Sequence, residues 1–85
     1  MSENAQHIAR VINQLLAKRE ATSSICPSEV ARALSADETT WRALMPNVRQ
    51  VAADMQDAGR LRITRGEAVV ERATLDDGPI RLRRI

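Results

Sequence analysis

The side chains best suited to contact nucleic acid lie in two parts of the sequence, the stretch "PNVRQ" and the arginine-rich C-terminal third. Asn47, Arg49 and Gln50 fall outside the apolar stripe of a predicted helix that starts at Pro46. Amide and guanidinium groups at such positions can pair with base edges or hold phosphates. We therefore take these three residues as candidate nucleic-acid contacts, on the helix that would enter a major groove.

Arginines beyond residue 60 supply the other candidates. Residues 1–59 carry a net charge of −1, whereas residues 60–85 carry +3. A guanidinium matches the geometry of a phosphate with two parallel hydrogen bonds. The alternative is that these are solvated surface charges, in a composition that reflects a GC-rich genome. The candidates in this part of the chain are Arg62, Arg65, Arg81 and Arg83.

Residues that could perform catalysis are few and isolated. Cys26 precedes a predicted helix, whose dipole would favour a reactive thiolate, but a small buried side chain is the alternative that we favour. One cysteine and one histidine, His7, cannot supply a tetrahedral zinc site. The serines lack an orienting base, and no glycine-rich phosphate loop is present. We expect neither an enzyme nor a cofactor.

Trp41 is the one aromatic residue of the chain. It lies on an apolar stripe of helical period, which favours a place in the core over a ligand anchor. If its ring proves exposed, an anchor for a protein partner becomes the better interpretation.

Length and composition set the broad class. A chain of 85 residues is expected to form one domain, residues 1–85. Without Phe or Tyr it has no stack of aromatic platforms for unpaired bases. The amino terminus lacks the pattern of a signal peptide, and no stretch has the length and hydropathy of a membrane span. We expect a cytoplasmic protein without a membrane contact.

Three segments have the apolar period of a helix. The first covers residues 3–20. The second begins with Pro27 at its first position and Cys26 as N-cap, and it ends at "SADET" after about two turns. The third consists of a short turn at 39–44, followed by a main helix over 46–58 that ends at Gly59, because proline disfavours a continuous helix.

From Arg60 the apolar period changes to two, which is typical of strands. "RLRITR" and "AVVER" flank the turn Gly66-Glu67, and "IRLRR" forms a last short strand. This register places Ile63 opposite Val70 and Arg62 opposite Glu71, so an apolar pair and an opposite-charge pair agree with the turn. The order predicts a mainly α domain with a small antiparallel sheet. Its architecture would be a winged helix, with a helix-turn-helix at 27–58 and a wing whose tip is 65–67.

Four strings of the sequence resemble a family of small bacterial proteins classed as a domain of unknown function. They are "ICPSEVARAL", "WRALMPNVRQVAADM", "GRLRIT" and "GPIRLRR". The resemblance covers residues 8–84 and implies a winged-helix-like fold, in agreement with the pattern of the residues. It implies no catalytic residue, cofactor or partner.

We therefore expect a domain that acts by binding. The leading hypothesis is double-stranded DNA, contacted through the helix that starts at Pro46 and the basic wing, with a role related to transcription. The alternative is a protein-interaction or homodimerisation module that uses the winged helix as a scaffold. The acidic side chains of Asp54 and Asp57 on the presumed recognition helix argue against the first hypothesis, because they would approach the duplex.

Overall fold

The computed structural model describes residues 2–20 and 22–85, with side chains from residue 5 onward apart from residue 21. These residues form three α-helices, four short strands in one antiparallel sheet, and a 3-10 turn at Arg72–Thr74. The helices are α1 (Ser2–Ala17), α2 (Pro27–Leu34) and α3 (Glu38–Asp57). The strands are β1 (Ser24–Ile25), β2 (Arg62–Arg65), β3 (Ala68–Val69) and β4 (Arg81–Arg83).

The first two helices follow the sequence pattern closely. α1 ends at Ala17 rather than at residue 20. α2 starts as predicted, with extended backbone at Cys26 (φ −88°, ψ 151°) and Pro27 in the first turn. The Glu29 carboxylate accepts a hydrogen bond of 3.2 Å from the Cys26 amide, which satisfies a donor that the helix leaves free. Ile25 and Val30, on either side of the cap, are fully buried.

The prediction of a break at Pro46 was wrong. α3 runs without interruption from Glu38 to Asp57 and contains Pro46 in its interior. Pro46 is exposed, so the Arg42 carbonyl that loses its helical partner lies on the solvent side of the helix. The apolar stripe keeps one period on both sides of the proline, and its burial outweighs the missing hydrogen bond. The helix that would act in recognition therefore begins eight residues earlier in the chain, at Glu38.

Asp37 fixes the new start of α3. Its carboxylate accepts hydrogen bonds from the hydroxyl of Thr40 at 2.7 Å and from the Thr40 amide at 2.9 Å. These bonds hold the pKa of Asp37 below its ordinary value, and the bond from the hydroxyl has the larger effect. Asp37 is thus a good N-cap, and the chain between α2 and α3 is only a short turn.

The β2–β3 hairpin has the predicted register. Arg65 pairs with Ala68 across Gly66-Glu67, and the backbone of Gly66 has the positive φ of 62° that this turn requires. The Val70 amide donates to the Ile63 carbonyl at 2.8 Å, which confirms that these residues are opposite. The expected pairing of Arg62 with Glu71 was wrong, because β3 ends at Val69 and Glu71 leads into the 3-10 turn.

β4 lies in the middle of the sheet, whose strand order is β1-β4-β2-β3. It pairs with β2, as Ile63 opposite Leu82, and with β1, as Ile25 opposite Leu82. The two-residue strand β1 was not predicted. We call residues 66–80, which join β2 to β4, the wing segment.

The core lies between the three helices and one face of the sheet. Its largest fully buried side chains come from the three helices, the strands, the residue before β2 and the wing segment: Ile12, Ile25, Val30, Val48, Leu61, Ile63, Leu75 and Leu82. A mainly helical domain with a small antiparallel sheet is confirmed, and its order is consistent with a winged-helix-like arrangement. Among the helices of the described ranges, none has both the length and the apolar character needed to cross a bilayer.

Candidate nucleic-acid interface

The seven candidate contact residues do not share one free surface. Some of them bind the wing segment to the rest of the domain, and others lie on the face of the sheet that points away from the core. Asn47 and Gln50 are the candidates on α3 that are exposed, and Asn47 lies on the same side of the helix as Ala43.

Arg49 holds the wing segment against α3. Its side chain is only 22% exposed, donates to the Leu75 carbonyl at 3.0 Å, and lies 3.6 Å from a carboxylate oxygen of Asp76. Leu75 itself is buried in the core. The guanidinium therefore satisfies a carbonyl at the base of a loop, and it is largely covered by the protein.

Arg72, which was not among the predicted site residues, forms hydrogen bonds with Gln50 and with the two aspartates of α3. Arg72 donates to Gln50 at 3.1 Å, to Asp54 at 2.8 Å and to Asp57 at 2.6 Å. These hydrogen bonds raise the pKa of Arg72, with the bond to Asp57 having the largest effect and the bond to Asp54 the next largest. The acidic half of α3 thus has its counter-charge inside the domain. The contact joins positions 15 to 22 residues apart, so no local pattern predicts it.

Arg65 also has an internal role. Its guanidinium donates to the carbonyls of Pro79 and Gly78 at 3.0 Å and of Thr74 at 3.2 Å, with a longer contact of 3.4 Å to Leu75. One side chain thereby serves backbone acceptors from both ends of a turn. Its Nε and Nη2 groups are occupied by these bonds, although the sequence pattern placed Arg65 at the tip of a DNA-contacting wing.

The other three arginines lie on the outer face of the sheet. Ile63 and Leu82 point into the core, so their neighbours Arg62, Arg81 and Arg83 point away from it. We call these three side chains the basic face. Within the described part of the chain, none of them forms an ion pair with a carboxylate.

The basic face is partly fixed by bonds to neutral groups. Arg81 donates to the Ser24 hydroxyl at 2.8 Å, the Ser24 carbonyl at 3.0 Å and the Cys26 sulfur at 3.0 Å. Arg83 donates to the Thr22 carbonyl at 3.0 Å. These bonds orient the guanidinium groups without neutralising them, so the positive charge remains available to an external anion.

A hollow lies on the same face of the sheet, between β4 and the β2–β3 turn. We call it the sheet hollow; its lining residues are Arg62, Thr64, Gly66, Glu67, Val69 and Arg83. Thr64 is 5% exposed, and its hydroxyl oxygen has no hydrogen-bond partner among the described residues. Thr64 was not among the residues predicted to form a site, although the period of two of a strand places it on the same face as Arg62.

A groove connects the basic face to α3. Cys26, Pro27 and Ser28 form one wall at the start of α2, and Met45 and Arg49 of α3 form another. Pro79, Ile80 and Arg81 complete the groove from the side of β4. Arg81 thus belongs both to the basic face and to the groove beside α3, so the two surfaces are continuous.

Trp41 packs against the edge of the core, as its place on the apolar stripe predicts, but it is not fully buried. Its ring is half-buried, and the guanidinium carbons of Arg32 and Arg42 lie 4.8 Å and 5.0 Å from the ring centroid. These distances are those of cation–π contacts. Arg42 also pairs with Glu38 at 2.8 Å. The ring therefore contacts two exposed arginines as well as the core.

The described side chains were also compared with the requirements of a metal site. No three His, Cys, Asp or Glu residues lie close enough to hold an ion, as far as the structure describes them. Cys26 is half-buried, and its sulfur accepts the hydrogen bond from Arg81.

Comparison with known proteins agrees with the resemblance seen in the four sequence strings. No match was found among curated proteins. A family model matches almost the whole chain, over residues 5–85, and covers all three helices and the sheet apart from the first residues of α1. The chain therefore belongs to the family described as Protein of unknown function (DUF3253).

Proposed function

We propose that the chain is a non-catalytic domain that binds double-stranded DNA. The observation that carries the proposal is the basic face, which continues into the groove beside α3. Its three arginines have no carboxylate partner among the side chains that the structure describes. Duplex DNA presents a dense row of phosphates, and arginines that are held in place but not neutralised are suited to contact them.

The proposed contact differs from the one expected from the sequence. Arg49 and Arg65 are assigned to the internal support of the wing segment, because their donors already serve carbonyls. Arg62, Arg81 and Arg83 would contact phosphates. The exposed Asn47 on the N-terminal half of α3 would supply a contact to a base edge.

Duplex binding across a salt series tests the proposal. Fluorescence anisotropy with a labelled duplex should show affinity that falls steeply with salt. Arg62→Gln and Arg83→Gln should each weaken binding at low salt and lower the salt slope by about 1. Arg10→Gln is the matched control, since Arg10 is exposed on α1, which contributes no residue to the basic face. Absence of binding at low salt would refute the proposal.

A role for Asn47 can be separated from that of the arginines. If Asn47 contacts a base edge, Asn47→Ala should reduce discrimination between duplex sequences while leaving the salt slope unchanged. The duplexes for this comparison come from selection on a random pool with the wild-type domain.

The second candidate function is a protein-interaction or homodimerisation module, favoured by the half-buried Trp41 and the exposed Val69. Val69 is 54% exposed at the edge strand β3. Sedimentation equilibrium over a wide concentration range tests the homodimer. A dimer that Val69→Thr dissociates would support this alternative, whereas a monomer throughout would remove the homodimer.

A further inference from the structure

We propose that the sheet hollow is a binding site for a phosphate group, held by Arg62, Arg83 and the hydroxyl of Thr64. The phosphate could belong to a nucleic-acid backbone or to a free phosphorylated molecule, since both present the same oxyanion. In its nucleic-acid form the inference rests on the proposed function; as a phosphate site it stands without it.

The charge distribution of the hollow favours an anion. Arg62 and Arg83 lie directly opposite each other on neighbouring antiparallel strands. Like charges in this position destabilise a sheet, and no carboxylate pairs with either of them in the residues described. An oxyanion between the two guanidinium groups would convert that repulsion into two charge-assisted hydrogen bonds.

The hydroxyl of Thr64 is the second, independent observation. Thr64 belongs to β2 and lines the hollow on the same face as Arg62, and its hydroxyl oxygen is buried without a hydrogen-bond partner among the residues that the structure describes. A buried hydroxyl without a hydrogen bond costs free energy, so such groups are rare in folded proteins. A phosphate oxygen in the hollow would accept from it, and the three donors would then surround one anion.

Glu67 is the group in the hollow that opposes anion binding. It belongs to the β2–β3 turn, is exposed, and forms no ion pair with Arg62 or Arg83. Its negative charge lowers the affinity for phosphate, so removal of that charge should raise it.

Titration with inorganic phosphate, followed by amide NMR shifts of the full chain at constant ionic strength, tests the site. Saturable shifts are expected in β2, in β4 and in the turn at Gly66, with no comparable shifts in α1. Arg62→Gln and Arg83→Gln should each weaken phosphate binding by about tenfold. Glu67→Gln should strengthen it by about twofold to threefold. Arg10→Gln should leave it unchanged.

The hydroxyl is tested by a pair of variants that differ in one group. Thr64→Val removes the hydroxyl at constant shape and should weaken phosphate binding by about fivefold or more. Thr64→Ser keeps the hydroxyl and should bind phosphate like the wild type. Equal phosphate binding by the valine and serine variants would remove Thr64 from the site.

The two sources of phosphate give different outcomes. If inorganic phosphate and duplex DNA both bind, and Arg62→Gln weakens both, the hollow holds a backbone phosphate. If phosphate binds in the hollow and the duplex does not bind at all, the site belongs to a free phosphorylated ligand and the DNA proposal fails alone. If millimolar phosphate causes no saturable shift in the hollow, the phosphate site is refuted, whether or not a duplex binds elsewhere.

Discussion

Arg65 on β2 donates a 3.0 Å hydrogen bond to the carbonyl of Gly78, near the far end of the wing segment. The same guanidinium reaches Pro79 at 3.0 Å and Thr74 at 3.2 Å. This contact closes the wing segment on the strand from which it departs. Arg65, which the sequence pattern placed at a nucleic-acid interface, therefore stabilises the fold.

Arg65→Lys should therefore destabilise the domain. A lysine ammonium is a point donor that cannot serve three carbonyls spread around a planar fork. We expect a loss of about 2 kcal/mol in the free energy of unfolding, measured by urea denaturation. Arg62→Lys is the matched control on the same strand and should change stability by less than about 0.5 kcal/mol. Equal stability of the Arg65→Lys variant and the wild type would contradict the structural role.

Pro46→Ala should stabilise the domain. In a continuous α3 the proline interrupts the hydrogen-bond ladder, and alanine would restore a donor to the Arg42 carbonyl. We expect a gain of about 1 kcal/mol, less than the full helix penalty because the carbonyl is on the solvent side. If a helix began at Pro46 instead, the proline would be favourable at its first position, and alanine would lower the stability.

Thr64→Val should also raise stability in buffers without phosphate. The buried hydroxyl of Thr64 has no hydrogen-bond partner in the described part of the chain, and a methyl group of the same shape removes the cost of burying it. We expect about 1 kcal/mol more stability by thermal denaturation. Added phosphate should narrow the difference, because it binds the folded wild type more tightly than the folded variant and therefore stabilises the wild type more. A less stable valine variant would show that the hydroxyl is satisfied in solution.

Stability should fall in acid partly through Asp37. Its pKa is lowered in the folded state by the hydrogen bonds from Thr40, so the unfolded chain takes up the proton more readily. The contribution is present above the unfolded pKa of about 4 and is lost as pH falls through the lower folded value. Asp37→Asn keeps a good N-cap and removes this titration. Thermal unfolding from pH 2 to 6 should show a weaker acid dependence for the variant, and identical profiles would contradict the assignment.

Local patterns were sufficient for much of the fold. Pro27 with Glu29 marks the start of α2, and Gly66 with the alternation around Ile63 marks the hairpin and its register. These features depend on residues within a few positions of each other, where backbone geometry and hydrogen-bond reach leave few alternatives. The same local reasoning failed at Pro46, because α3 packs against the core on both sides of the proline, with partly buried side chains before it and fully buried ones after it. This packing outweighs the local preference of one residue.

The candidate site was only partly accessible from the sequence. The sequence identified Arg62, Arg81 and Arg83, but it could not separate them from Arg49 and Arg65. The partners that occupy the latter two are carbonyls of the wing segment, up to 26 residues away along the chain. Whether a guanidinium can bind an external group depends on which backbone acceptors the fold brings near it. The neighbouring residues in the sequence do not predict those acceptors.

The sequence by itself determined the order of helices and strands, the turn at Gly66 and the accumulation of positive charge beyond residue 60. Only the tertiary structure decided where that charge is available. β4 enters the sheet between β1 and β2, which places Arg83 opposite Arg62 and leaves Thr64 buried beside them. The physical reason is the long-range strand pairing: its register is set by Ile25, Ile63 and Leu82 packing into one core, and the outer face follows from it.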